Sequence, residues 1–310
     1  MRKIYFVPNW GLTSEQMVDD YKNQTPGCSG VWEDIEYTLN PDEADYLIIQ
    51  DECSKDLWNK FEPEQRLYFS REALTPNSID NFPEDECKHF SFWDETGYLW
   101  TKWWYPNKSS GGINMTYDEL VNLEPMGEKL NDISCILSNK EMCYGHIRRK
   151  KFVFEFSSRK RNFMDIYGSV LCSNKTLENN DKRNGLINYN YHLAFDNQDT
   201  IKDFFGTQFT DALLMWTVPI FWGGGDGDKY FPEGSYETFN VDDPYEIDRI
   251  VDIVESGDYL SRLPAIKEAR ELILNKYNMW PTIKNAIDSL ESEVDYDDES
   301  TTIHAVRGLD

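Results

Sequence analysis

The feature that most constrains this chain is a rhythm of short apolar runs bounded by turn residues, each followed by a polar stretch with helix character. IYFVPNW (4–10) reads as a buried strand ending at a Pro/Asn/Gly turn, and TSEQMVDDYKN behind it opens with a helix N-cap signal. ADYLIIQ (44–50) and RLYFSRE (66–72) repeat the pattern. After an aromatic-rich stretch, WDETGYLWTKWWY (93–105), and a loop, PNKSSGG, it restarts near Asp132. ISCILSN (133–139), FMDIYG (163–168), YHLAFDN (191–197) and VPIFWGG (218–224) are the further strand candidates, and a basic helical segment follows the first of them. Between the last two, TQFTDALLMW reads as an amphipathic helix with Phe209, Ala212, Leu213 and Trp216 on one side. Strand, loop and helix in alternation are the mark of a parallel α/β sheet, and the restart predicts two of them.

The expected architecture is therefore two Rossmann-like α/β domains facing a cleft, with C-terminal helices. Residues 1–128 form the first domain and 129–290 the second; beyond residue 243 the pattern is helical. The acidic stretch 291–310 carries little apolar material and is expected to be a disordered tail. Ligands of open α/β sheets bind beyond the carboxyl ends of the strands. Candidate residues are accordingly sought at the strand ends: NWG, SREA, SN, DNQD and WGGG.

Charge narrows the function classes. Fifty-six Asp and Glu against 31 Lys and Arg leave a formal charge of −25, which argues against a nucleic-acid binder and against docking on an anionic membrane. No apolar run is long enough for a membrane span. The opening, MRKIYFVPNWG, does not read as a signal peptide, so a cytoplasmic location is expected. The cysteines form no CxxC pair and the histidines no HExxH spacing, so no protein-built metal site is expected.

The segment FDNQDTIKDFFGTQFTDALLMWTVPIFWGG resembles the donor-binding motif of the α-1,3/4-fucosyltransferases, glycosyltransferase family 10. That motif reads approximately FEN, a short spacer, DYVTEK, a helix and a TVPVxWG strand. Its counterparts are Phe195-Asp196-Asn197, then Asp203 to Gln208, Asp211-Ala212-Leu213, and Thr217 to Gly223. The opening VPNWG, the run YFSREALTPN and the segment SNKEMCYGHIRRKKF are similar to other parts of the family. The resemblance implies a GT-B-like fold with an N-terminal acceptor domain and a C-terminal domain binding GDP-fucose. It implies transfer of fucose to a glycan hydroxyl with inversion, with no cofactor and no essential catalytic metal. It places Glu72 as general base and Arg149 on the donor diphosphate, with Arg148 as the alternative. It makes Asp196, Asn197, Phe204, Thr207 and Gln208 the nucleotide and sugar contacts.

The chemistry suits these residue types. A carboxylate removes the proton of the attacking hydroxyl, and a guanidinium suits a leaving diphosphate better than an ammonium. Trp103 and Trp104 are candidates for stacking on acceptor sugars, with core packing the default for most of the aromatic stretch. Gly223 to Gly225 with Asp226 and Asp228 read as an anion nest, a cation loop or a plain turn. The chain departs from the family where Gly206, Thr207 and Gln208 stand in place of Thr-Glu-Lys. Two alternatives therefore stay open: the same fold with a different nucleotide-sugar donor, and a catalytically silent glycan- or nucleotide-binding protein. Between Arg148 and Arg161, seven basic residues face one acid, Glu155, a local reversal of charge that coincides with the expected diphosphate segment.

Overall fold

The computed structural model describes residues 1–9, 11–50, 52–69, 86–90, 112–127, 129–201 and 203–306. Two sheets organise them. In the first, β1 (Arg2–Phe6) lies parallel to β3 (Ile35–Tyr37) on one side and to β4 (Tyr46–Ile49) on the other. The sheet continues in parallel through β5 (Arg66–Phe69) and β6 (Lys88–Phe90), while β2 (Val31–Trp32) adds an antiparallel edge. Alternate residues of these strands enter different cores. Ile4, Phe6, Ile48, Leu67 and Phe69 join one cluster, and Tyr5, Leu47, Ile49 and Tyr68 join the other. A strand points successive side chains to opposite faces, so near-continuous apolar runs are what a sheet covered on both sides requires.

The second sheet has the order β11-β10-β9-β7-β8. Its strands are β7 (Asn131–Leu137), β8 (Asp165–Gly168), β9 (Tyr189–Phe195), β10 (Val218–Trp222) and β11 (Glu237–Thr238), all paired in parallel. The helix Tyr144–Arg159 connects β7 to β8, and the helix Thr207–Leu214 connects β9 to β10. The latter buries Phe209, Ala212 and Leu213, with Trp216 just beyond it, as its periodicity predicts. Chain order then runs outward in both directions from β7, so the direction of winding reverses between β7 and β9. In the first sheet the parallel strands likewise lie on both sides of β1, with β4, β5 and β6 following outward on one side and β3 on the other.

The described strands end before their polar trailing residues: β1 stops at Phe6, β7 at Leu137, β9 at Phe195 and β10 at Trp222. The tails expected to extend them belong to the following loops. The two- and three-residue strands β2, β3, β6 and β11 are too short to carry a two-residue period, and the sequence does not signal them. The helix Ser14–Tyr21 starts as expected, with Thr13 and Gln16 closing a capping box.

The last helix, Met279–Val306, packs on the first sheet rather than the second. Trp280 is fully buried, sets its ring edge-on to Phe6 at 5.7 Å, and donates its indole N–H to the Tyr21 carbonyl at 2.9 Å. Arg2 pairs with Asp288 at 2.7 Å and Glu291 at 2.9 Å. The end of the chain thereby returns to cover the first sheet. Among the described residues no helix is long and apolar enough to cross a membrane.

Candidate functional site

At the point between β7 and β9 where the winding reverses, a doubly wound sheet opens a crevice at its carboxyl ends. Here the two strands part after the pair Cys135 and Leu193. Gln208 holds them at that point. Its side-chain oxygen accepts the Phe195 N–H at 3.0 Å, and its amide nitrogen donates to the Ile136 carbonyl at 2.9 Å. The helix Tyr144–Arg159 begins at the same place. A Cβ at Gly145 would lie 1.9 Å from the Asn197 carbonyl oxygen, so only glycine lets the helix start this close to the end of β9. Its N-cap, Cys143, makes no side-chain cap, which leaves first-turn N–H groups facing the crevice region for an anion to accept.

Arg149 and His146 lie one turn apart on the buried face of this helix, each 6% exposed. Arg149 reaches the Ser138 hydroxyl at 3.3 Å, and its Nε is buried with no partner. Among the described residues no carboxylate pairs with Arg149, and burial lowers its pKa despite the nearby Asp196. His146 Nδ1 is likewise buried and unpartnered. Arg148 is placed quite differently. Its guanidinium is held by Asp199 and Asp242 and stacks 4.7 Å over the Trp222 ring. Most of the neighbouring basic residues are also paired: Lys150 with Glu141, Arg159 with Glu155 and Asp248, and Lys160 with Asp248. The basic run is thus a belt of ion pairs, with Arg149 turned inward from it.

The loop after β9 supplies the other side of the crevice. Asn197 Oδ1 and Gln198 Nε2 are buried without partners, whereas Gln198 Oε1 accepts the Thr200 and Ile201 N–H groups at 2.7 and 2.8 Å. Asp196 is fully buried; its Oδ1 accepts the Gly206 N–H at 2.8 Å and its Oδ2 has no partner. Burial raises the Asp196 pKa well above its ordinary value, against the pull of that amide and of Arg149. Phe204 packs on Ile201. Thr207 accepts a hydrogen bond from the Lys182 ammonium at 3.1 Å, and Lys182 pairs with the buried Asp211 at 2.7 Å.

Among the sequence-derived candidates, Arg149, Asp196, Asn197, Thr207 and Gln208 therefore gather around one crevice. Glu72, Trp103 and Trp104 lie outside the described residues. Three participants escaped the sequence reading. His146 was detectable from its three-residue spacing to Arg149, and Gln198 from its place beside Asn197. Lys182 is distant in sequence, and only the fold brings it to Thr207. In the glycine-rich loop, Asp228 accepts the Tyr236 hydroxyl at 2.7 Å. Among the described residues no cluster of His, Cys, Asp and Glu has metal-holding geometry.

Residues 127–259 match the family described as glycosyltransferase family 10 (fucosyltransferase) C-term. Among curated proteins none matches. Solved structures to which the chain is similar include an α1,3-fucosyltransferase with GDP-fucose, 20% identical, with 84% of this chain and 81% of that one covered at a TM-score of 0.49. Another is an α1,3-fucosyltransferase with GDP, 18% identical, covering 90% and 92% at 0.47. A glycosyltransferase from Rickettsia africae ESF-5 is 11% identical, covering 79% and 70% at 0.41. The family match runs over the second sheet from β7 through β11, and it is this part of the chain that is similar to glycosyltransferase family 10, the fucosyltransferases.

Proposed function

We propose that the chain is an inverting fucosyltransferase that moves fucose from GDP-fucose to a glycan hydroxyl, in a GT-B-like arrangement and without an essential catalytic metal. One observation carries the reading. Arg149 Nε, Asn197 Oδ1 and Gln198 Nε2 are all buried and unpartnered at the reversal of winding in the family 10 domain. Buried polar groups left without partners cost about 1–3 kcal/mol each, and a bound nucleotide sugar would satisfy them.

The roles follow from the chemistry. The diphosphate sits at the start of the helix Tyr144–Arg159, where Arg149 offsets the charge that grows on it as the bond to the sugar breaks. Asn197 and Thr207 offer polar contacts to nucleotide and sugar, and Phe204 an apolar one. Asp196 holds the loop through Gly206 rather than presenting a charge. Glu72 takes the proton of the acceptor hydroxyl as that oxygen attacks the anomeric carbon from the face opposite GDP. Trp103 and Trp104 stack on the acceptor. The protein works as a cytoplasmic enzyme.

A second reading keeps the fold and changes the donor. It is favoured by Gln208, whose amide is engaged by backbone at both ends and so adds no charge to the ligand. Thermal-shift binding against a panel of nucleotide sugars, followed by turnover with the hits, separates the two. Stabilisation and turnover with GDP-fucose support the first, and response to another nucleotide sugar alone supports the second. Binding without any turnover identifies a silent binding protein. Glu72→Gln is expected to abolish transfer while leaving donor binding intact; unchanged turnover removes Glu72 from the mechanism.

A further inference from the structure

Building on the proposed donor site, we propose that His146 is a second anchor for the diphosphate and binds it as imidazolium, taking up a proton from solvent as the anion arrives. The imidazole occupies the third position of a 16-residue helix, one turn before Arg149 and on the same buried face. It is 6% exposed, and its Nδ1 has no partner. Its neighbour Gly145 is pressed against the Asn197 backbone, so the first turn that carries the ring is held against the end of β9, and the ring itself is buried rather than on an open helix surface.

The surroundings hold the ring neutral until an anion is present. Burial lowers its proton affinity, and two cations add to the effect: Arg149 on its own helix and Lys140 in the loop before it. Asp196, just after β9, acts on Arg149, and burial raises its own pKa and so weakens its hold on a charge. Among the described residues neither Arg149 nor His146 has a carboxylate partner. The site is thus short of negative charge, with cations and uncapped N–H groups on one side. A diphosphate supplies that charge, cancels the repulsion from Arg149 and Lys140, and turns an imidazolium N–H into a charge-assisted donor. Because the complex then holds one proton more than the free protein, affinity rises as pH falls.

The test is calorimetric titration of the full chain with GDP, and with UDP for comparison, in two buffers of different ionisation enthalpy. Proton uptake on binding is expected near neutral pH in the wild type and is expected to disappear in His146→Gln. A shift of one pKa unit corresponds to tenfold in affinity. Between about pH 6 and about pH 8, wild-type affinity should therefore fall about tenfold further than that of the variant. The nucleotide's own phosphate ionisation is common to both proteins and drops out of the comparison. Equal proton uptake in wild type and variant overturns the proposal, and His146→Asn gives the same readout if the Gln variant does not fold. Arg149→Ala tests the underlying site separately: unchanged GDP binding there means that the diphosphate lies elsewhere. Failure of both nucleotides to bind overturns the site and the His146 role together.

Discussion

The Gly206 amide donates to Asp196 Oδ1 at 2.8 Å, and a Cβ placed on Gly206 would lie 2.1 Å from that same oxygen. The carboxyl group therefore works as an internal brace, tying the end of β9 to the start of the helix Thr207–Leu214. Gly206→Ala is expected to break this contact and cost about 1–3 kcal/mol, the usual penalty for forcing atoms into a packed interior. Urea unfolding monitored by tryptophan fluorescence gives the value. A stability within about 0.5 kcal/mol of the wild type would show that the brace is loose.

Asp196 also sets a pH dependence. Burial raises its folded pKa above the unfolded value, so the folded state holds a proton that the unfolded state releases. The stability from this group is full below about pH 4 and declines as pH rises toward the folded pKa. Asp196→Asn keeps the acceptor for Gly206 and has no charge to lose. Its melting temperature relative to the wild type should therefore climb as pH increases from about 4. A constant difference across pH would contradict a neutral buried carboxyl.

Gln208 is expected to matter more for the sheet than for the ligand. A lysine has no acceptor, so Gln208→Lys orphans the buried Phe195 N–H and should destabilise by about 1–3 kcal/mol. Gln208→Leu removes both hydrogen bonds and should cost more. If Gln208→Lys is as stable as the wild type and binds GDP more tightly, the side chain faces the ligand instead.

The two adjacent arginines should separate cleanly. Arg149→Ala removes a buried cation that lacks a carboxylate partner, so GDP affinity should fall about tenfold to a hundredfold with little loss of stability. Arg148→Ala leaves Asp199 and Asp242 unpaired and uncovers Trp222, so the melting temperature should fall while GDP affinity stays within about threefold. Calorimetry and differential scanning fluorimetry on the two variants check this, and equal effects on affinity would merge their roles.

Much of this was legible from residue order, because apolar runs of four to seven residues can bury both faces only inside a covered parallel sheet. The restart near Asp132 announced the second sheet, and the segment from Phe195 to Gly223 carried enough order and spacing to indicate the family whose model matches residues 127–259. The exact strand ends were less legible, since a tail such as Val-Pro-Asn after β1 has no period of its own. Choosing between Arg148 and Arg149 was beyond local sequence, because neighbouring residues on a helix differ by about 100° in direction.

By itself, then, the sequence determined the α/β class, the doubled sheet, the family resemblance of the segment around the second sheet and the small set of residues at the strand ends. Those properties depend on local patterns of apolar and polar side chains, which every short segment carries within it. The tertiary structure decided which of those residues have work left to do for a ligand. It turned Gln208 and Asp196 inward onto backbone, tied Arg148 to distant carboxylates, brought Lys182 to Thr207, and left His146, Arg149 and Asn197 with unpartnered buried atoms. Whether a polar group is satisfied depends on partners far away in the chain, and only the closed fold brings those partners within hydrogen-bonding distance.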